Sequence, residues 1–372
     1  MKDPNGITID LSALVHNLRQ VRRLIGDHVK IMAVVKADAY GHGLEAVARA
    51  LESEMVHFFG VSFLNEAIRL KNRGIATPVI LLGGVRTREE CQRVVELGLT
   101  PVIYDLRAAE LLHEESRRAG RKTAVHLKVD TGMGRLGISC EDIGLFSERI
   151  MALKGLRIEA LLSHLSSADE EEKAFTAGQI RHFNAAVETV RSKGARLSLN
   201  SLANSAGIMA HKDAHFQMVR PGIMLYGGLP SPEFESPVEL RPAMHFRGRV
   251  LQVRDLPHGT PVSYGRTYRV EGTRRMAVLS AGYENGLSRN MSNRGQVLIK
   301  GKRAPIAGKV CMNLTVCDIT GHPQISPGDE AVFLGAQGRE RITGDDMAAW
   351  TGTISYEVFC AIGHRNEKEY VS

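Results

Sequence analysis

Hydrophobic positions in residues 30 to about 230 fall into two alternating kinds of segment. Short apolar, β-branched runs are each followed by a longer stretch whose apolar positions recur at helical spacing. Eight runs are legible, at 31–35, 58–63, 79–82, 101–104, 124–129, 158–162, 196–199 and 218–226. Helical stretches lie between them at 44–53, 66–72, 89–97, 107–119, 142–152 and 170–192. Gly74, Gly98, Gly120 and Gly194 each follow a helical stretch, where a C-terminal cap is expected.

Near-continuous apolar strands interleaved with helices predict a parallel sheet covered on both faces. Eight units over about 200 residues fit a (β/α)₈ barrel better than the alternative, a doubly wound open sheet. The texture changes after Gly228. Residues 229–242 carry four prolines and read as a connection. Strand-like runs then follow at close spacing, at 245–253, 275–279, 296–299, 304–307, 315–318 and 330–333, with one helical stretch at 344–350. The fold class is therefore α/β, an N-terminal TIM-like barrel with a C-terminal, mostly β domain. The divisions are an N-terminal strand at 1–10 that packs with the C-terminal domain, a barrel over 11–232, a linker at 233–242, and a β-rich domain over 243–372.

Composition narrows the function classes. The chain has 372 residues, 43% hydrophobic and 24% charged, which excludes a disordered or fibrous protein. A net charge of +7 is spread without a basic block, so a small anionic ligand accounts for it better than a nucleic acid. Cys91, Cys140, Cys311, Cys317 and Cys360 are an odd set with no C-x-x-C pair, against a disulfide framework or a zinc ribbon. The N-terminal residues carry charges and Pro4 where a signal peptide needs an apolar run, and no apolar stretch reaches 18 residues. A cytoplasmic protein without a membrane partner is expected.

A barrel places its chemistry just after the C-terminal ends of the strands. Lys36 ends the first apolar run. Burial there lowers the pKa of an amine, and a partly neutral amine is what carbonyl chemistry through a Schiff base requires. The alternative is a lysine that snorkels to the rim.

The run Ala33 to Gly43 resembles the cofactor-lysine motif of the alanine racemases, barrel enzymes dependent on pyridoxal 5'-phosphate. The resemblance continues through Lys128-Val129-Asp130-Thr131-Gly132-Met133-Gly134-Arg135, Ser163-His164, Asn204-Ser205 and Arg220-Pro221-Gly222-Ile223. In the second domain it takes in Ser263-Tyr264-Gly265, Gly282-Tyr283, Cys311-Met312 and Tyr356-Glu357. It implies an enzyme interconverting L- and D-alanine by two-base proton transfer on a cofactor aldimine, supplying D-alanine for peptidoglycan.

In that resemblance Lys36 holds the cofactor aldehyde and serves as one base, and Tyr264 is the other on the opposite face. Two opposed bases are the simplest way to remove a proton from one side of a carbon and return one to the other. Tyrosine is a poor base unless positive charge lowers its pKa, and His164 and Arg220 are the expected source. Arg220 is implied at the pyridine nitrogen; an arginine does not surrender its proton, so the ring nitrogen stays unprotonated and transamination is discouraged. Tyr40, Ser205 and Tyr356 offer hydroxyls, and Gly222 and Ile223 main-chain N–H groups, to the cofactor phosphate. Asn204 completes the cofactor set, although it could equally cap a helix. Arg135, Met312 and Tyr283 are implied at the substrate, Arg135 as a fork for its carboxylate. A lysine matching Lys128 is often carbamylated in the family, which would put an anion beside Arg135. A homodimer is implied, with Tyr264 and Met312 reaching the cofactor of the other subunit.

Two departures bear on substrate range. Asn313 follows Cys311-Met312 where the family usually has Asp, and Gly282-Tyr283-Glu284-Asn285-Gly286 replaces Gly-Tyr-Ala-Asp-Gly. They motivate a serine or broad-specificity racemase as an alternative. A barrel that binds the cofactor without catalysis is a further alternative, opposed by the second domain. No metal is expected: His211 and His215 have i, i+4 spacing but no Glu follows the first, and a helix face or loop explains them. The acidic residues 169–172 read as the charged first turn of a helix.

Overall fold

The structure, a computed structural model, describes residues 4–372. Among these, seven parallel strands lie side by side in the order Leu156–Leu162, Thr123–Lys128, Thr100–Ile103, Val79–Leu81, Phe58–Val61, Lys30–Val34 and Met218–Val219. The order is that of the sequence, except that the last strand returns beside the first. That is the neighbour relationship of a closing barrel.

The run at 196–199 does not form the eighth strand. Residues 198–203 pass extended between the two ends of the sheet and bond to both. On one side Ser198 N–H donates to Glu159 O at 2.9 Å and Ser201 N–H to Leu161 O at 3.1 Å. On the other, Met218 N–H donates to Asn200 O and Arg220 N–H to Ala203 O, at 3.2 and 3.0 Å. The ladder is irregular because the Asn200 side-chain carbonyl takes the Leu161 N–H at 2.9 Å, replacing a backbone acceptor. The run at 218–226 is likewise shorter than its hydrophobicity suggests. Its strand ends at Val219, two residues before the donorless Pro221, and Ile223–Tyr226 is a 3₁₀ turn.

Helices occupy the predicted intervals, Leu44–Ser53, Leu64–Asn72, Arg88–Leu97, Leu106–Arg118, Ile143–Ala152 and Ala174–Ser192. Local chemistry sets their ends. The Thr87 hydroxyl accepts from Glu90 N–H while the Glu90 carboxylate accepts from Thr87 N–H, and Gly98 closes the same helix at φ 63. Residues 169–172 form turns ahead of the last helix rather than its first coil, although Glu172 still accepts from Ala174 N–H at 2.6 Å. Helix Leu11–Ile25 was not foreseen; the Asp10 carboxylate caps it through Ala13 N–H.

The C-terminal part is built on strand Met244–Leu256, which bonds to Glu330–Gln337 and Arg274–Leu279. Strand Gly6–Asp10 pairs antiparallel with its start and parallel with Lys368–Val371. Helix Ser355–Gly363, which sequence spacing did not reveal, crosses back toward the barrel. A small apolar cluster of Met32, Ile80, Val102, Ala160, Leu162, Leu199 and Met218 fills the barrel. A larger one continues from Leu14, Val47 and Phe183 to Phe246, Phe333 and Phe359 of the C-terminal part. Among the described residues, no helix is long and apolar enough to cross a membrane.

Candidate active site

The first barrel strand ends at Val34, and the next residues do something uncommon. Ala37, Asp38, Ala39 and Tyr40 all lie in the left-handed helical region, at φ 53, 54, 54 and 55. Each such L-residue costs about 1–2 kcal/mol, so the turn survives only if its surroundings hold it. On the inner side, Ala37 N–H donates to Glu66 Oε1 at 2.6 Å. On the outer side, Asp38 accepts from Leu44 N–H and pairs with Arg69 at 2.9 Å and Lys368 at 3.4 Å. The His42 ring lies within 3.1 Å of Ala39 O and 3.0 Å of Tyr40 O. Gly41 is required where it stands: a Cβ there would meet Phe359 O at 2.5 Å.

This turn delivers Lys36 and Tyr40 into a cavity of about 580 Å³ at the C-terminal end of the barrel. Lys128, at the end of its strand, and Arg135 line it, with His164, Asn204, Ser205, Arg220, Gly222, Ile223 and Tyr356. Every residue predicted from the barrel half is therefore there, joined by Tyr356 from helix Ser355–Gly363 of the second domain. Ser62, Phe63, Leu82, Gly83, Arg86 and Tyr104 complete much of the wall. Among the described residues no aspartate or glutamate lines it, whereas Lys36, Arg86, Lys128, Arg135 and Arg220 do. A site so composed calls for bound anions.

Arg220 is buried at 4% exposure, and its two terminal nitrogens are bonded to the chain. Nη1 donates to Ser201 Oγ at 2.6 Å, and Nη2 to Ser163 O, His164 Nδ1 and Leu202 O at 2.6, 3.1 and 3.1 Å. Burial brings its pKa down to about 9, which leaves it charged at neutral pH. His164 lies far below the usual histidine range, through burial first and then the positive charge of Arg220. The ring is thus neutral. The positive field in this cavity comes from the arginines, not from His164 as the sequence suggested.

Burial also lowers Lys36, with Arg135 adding to it, and lowers Lys128 strongly, with Arg220 and Arg135 adding to it. Two amines with weakened protonation face one cavity. At its other end, Ser205 Oγ accepts from Gly222 N–H at 3.0 Å and Met224 N–H at 3.4 Å, so the Gly222 donor is already taken within the chain. A Cβ on Gly222 would lie 2.5 Å from Tyr40 Oη. Tyr40 is stacked on Tyr226 at 4.8 Å and inclined to Tyr356 at 5.7 Å, and burial pushes both Tyr40 and Tyr356 up. Asn204 is a helix cap, its Oδ1 accepting from Gly207 N–H at 3.0 Å, as well as a wall residue.

Tyr264, Met312 and Tyr283 do not join this group within one chain. Tyr264 and Met312 are 67% and 54% exposed, and Tyr283 lines a separate cleft with Arg289, Met347 and Arg365. His211 and His215 face the carbonyls of Ala168 and Ile208 respectively. Sequence reasoning missed Glu66 and Asp38, which hold the lysine turn, and Phe63, Arg86 and Tyr104. Glu66 had a usable signal: an acid three residues into a helix that follows a strand end.

Residues 9–230 match the family model described as alanine racemase, N-terminal domain, and residues 243–370 that of alanine racemase, C-terminal domain. The chain is 40% identical to an alanine racemase of Syntrophobacter fumaroxidans, covering 98% of this chain and 96% of that one. It is 39% identical to an alanine racemase of Geobacter sulfurreducens, covering 99% and 97%. Among solved structures, alanine racemase from D-cycloserine producing Streptomyces lavendulae superposes with a TM-score of 0.94 at 31% identity, covering 100% of this chain and 98% of that one. The chain belongs to the alanine racemase family.

Proposed function

We propose that the chain is an alanine racemase that interconverts L- and D-alanine with pyridoxal 5'-phosphate. The observation that carries this reading is the cavity itself. Lysines and arginines converge on it with no lining carboxylate among the described residues, and the Ser205–Gly222 corner stands at its far end. Its volume, about 580 Å³, suits a cofactor of that size with a small amino acid beside it. When bound, the cofactor supplies an electron sink for the carbon that gives up its proton.

Lys36 would hold the cofactor and would accept or return a proton on one face of the substrate α-carbon; the lowering of its proton affinity by burial supports that role. Arg220 would stand at the pyridine nitrogen as a fixed cation, its guanidinium held in place by four hydrogen bonds to the chain. The Ser205 hydroxyl, Tyr40 and Tyr356, with Gly222, Ile223 and Asn204, form the phosphate end. Arg135 binds the substrate carboxylate. Lys128, whose amine burial presses toward its neutral form, adds carbon dioxide at nitrogen with loss of a proton, giving a carbamate beside Arg135.

The second base, Tyr264, comes with Met312 from a second copy of the chain in a homodimer. The exposure of Tyr264 and Met312 supports this, since both are apolar-bodied side chains left open in one chain. The enzyme works in the cytoplasm, where D-alanine is drawn into peptidoglycan.

The test is purified chain supplied with pyridoxal 5'-phosphate. A visible absorption band, a borohydride-trapped cofactor on the Lys36 peptide, and loss of the circular dichroism of L-alanine are expected. A colourless protein, or one labelled elsewhere, would overturn the reading. A kcat/KM for L-serine above that for L-alanine would overturn the substrate assignment while leaving the reaction.

A further inference from the structure

Glu66 lies on helix Leu64–Asn72, outside the cavity lining, yet it is 8% exposed and all its bonds are to backbone near Lys36. Oε2 accepts from Ser62 N–H at 2.8 Å and Phe63 N–H at 3.1 Å, at the end of the neighbouring strand. Oε1 accepts from Ala37 N–H at 2.6 Å, the first residue of the left-handed turn. One carboxylate thus ties two adjacent barrel strands together one residue beyond the reactive amine. The turn would otherwise leave that buried N–H unpaired, at about 1–3 kcal/mol.

We propose that Glu66 is the positioning residue of Lys36: it fixes the turn that aims the amine into the cavity and stands as its counter-charge. This rests on the reading of Lys36 as the cofactor lysine. The charged groups around that amine come from every side. Arg135 follows the Thr123–Lys128 strand and Arg220 follows Met218–Val219; both press the amine toward its neutral form. Glu66 acts the other way, and Cys360 on helix Ser355–Gly363 faces the amine as a thiol that burial holds protonated. Lys128 and His164 face the same space as further basic groups. Glu66 is therefore placed to set how far the arginines can drive Lys36 toward neutrality.

Asp38 provides the comparison. It braces the outer side of the same turn through Arg69 and Lys368. If Glu66 were only a brace, Glu66→Gln and Asp38→Asn would act alike.

The experiment measures Lys36 in the apoprotein by competitive acylation against pH, read by mass spectrometry of its peptide. It stands even if the cofactor reading fails, because no cofactor is present. Glu66→Gln should move the midpoint to lower pH and raise labelling below it about threefold, half a decade of proton affinity. Asp38→Asn should leave the midpoint in place. An unmoved midpoint in Glu66→Gln, or an equal shift in Asp38→Asn, overturns the counter-charge. Glu66→Asp keeps the charge but withdraws it by a methylene. It should hold the wild-type midpoint yet release pyridoxal 5'-phosphate at least tenfold faster; release at the wild-type rate overturns the positioning. Should Glu66→Gln not fold, Glu66→Asp with Asp38→Asn decides. A Glu66→Asp midpoint below that of the wild type, or coenzyme release in Glu66→Asp no faster than in Asp38→Asn, overturns the proposal.

Discussion

Arg220 Nη2 lies 3.1 Å from His164 Nδ1, and because a guanidinium only donates, the imidazole must accept at that nitrogen. The ring proton is thereby fixed on Nε2. Nitrogen NMR of selectively labelled protein should show His164 as the neutral Nε2–H tautomer from pH 8 down through pH 6, whereas an imidazolium signal at pH 7 would contradict the geometry. Arg220→Lys keeps the charge but loses the fork. It should cost about 3 kcal/mol in urea unfolding, since several charge-assisted bonds become one.

Gly222→Ala tests the far end of the cavity. The new methyl would come within 2.5 Å of Tyr40 Oη, and Tyr40 cannot swing away because Tyr226 and Tyr356 flank it. Overpacking of this kind costs about 1–3 kcal/mol, so pyridoxal 5'-phosphate should bind about tenfold more weakly. Pyridoxal, which lacks the phosphate, should be affected less; an equal loss for both would remove the phosphate from this corner.

Mixed dimers test the shared site. Lys36→Ala and Tyr264→Phe chains should each be inactive alone. Co-expressed at equal levels they should regain about a quarter of the wild-type activity, because half the dimers are mixed and each mixed dimer has one intact site by two-fold symmetry. No recovery would mean that Tyr264 serves the Lys36 of its own chain.

His42 predicts a pH dependence of stability. Its ring is enclosed by Tyr226 at 4.6 Å and Phe359 at 5.2 Å, and burial holds it down to about 4. An unfolded histidine titrates near 6.5, so between these values the unfolded chain binds more protons. The contribution is therefore complete above about pH 6.5 and is lost as pH falls toward 4, to a total of about 3 kcal/mol. His164, lowered by its own burial, acts in the same direction. Urea unfolding at pH 7, 5.5 and 4.5 should show the decline, and His42→Gln should flatten it.

The barrel strands and the placement of Lys36 were legible because parallel strands buried on both faces write themselves as unbroken apolar runs. The segment at 196–199 misled for the same reason. It is apolar because it closes the barrel, but the Asn200 side chain takes over part of its backbone pairing. Helix Ser355–Gly363 was hidden because it is buried on several sides, Val358, Phe359, Ile362 and Gly363 among its inward residues, so no clean polar face marked it. Phe63, Arg86 and Tyr104 were not found because they belong to loops, where spacing carries no signal and only the ring of strands gathers them. Glu66 and Asp38 were not found because none of the four residues of the left-handed turn they hold, Ala37 to Tyr40, is a glycine.

Lys368, on the strand beside Gly6–Asp10, reaches the Asp38 carboxylate at 3.4 Å, and Tyr370 packs against Gly43. Segments at opposite extremes of the sequence thus meet on the turn that carries the reactive amine. Pairings of such long separation are slow to form, since the closure entropy of the intervening chain is spent before any contact repays it. Coloured, reducible protein should consequently appear in the last kinetic phase of refolding, which makes the coenzyme a reporter of chains that have finished, rather than a template on which they start.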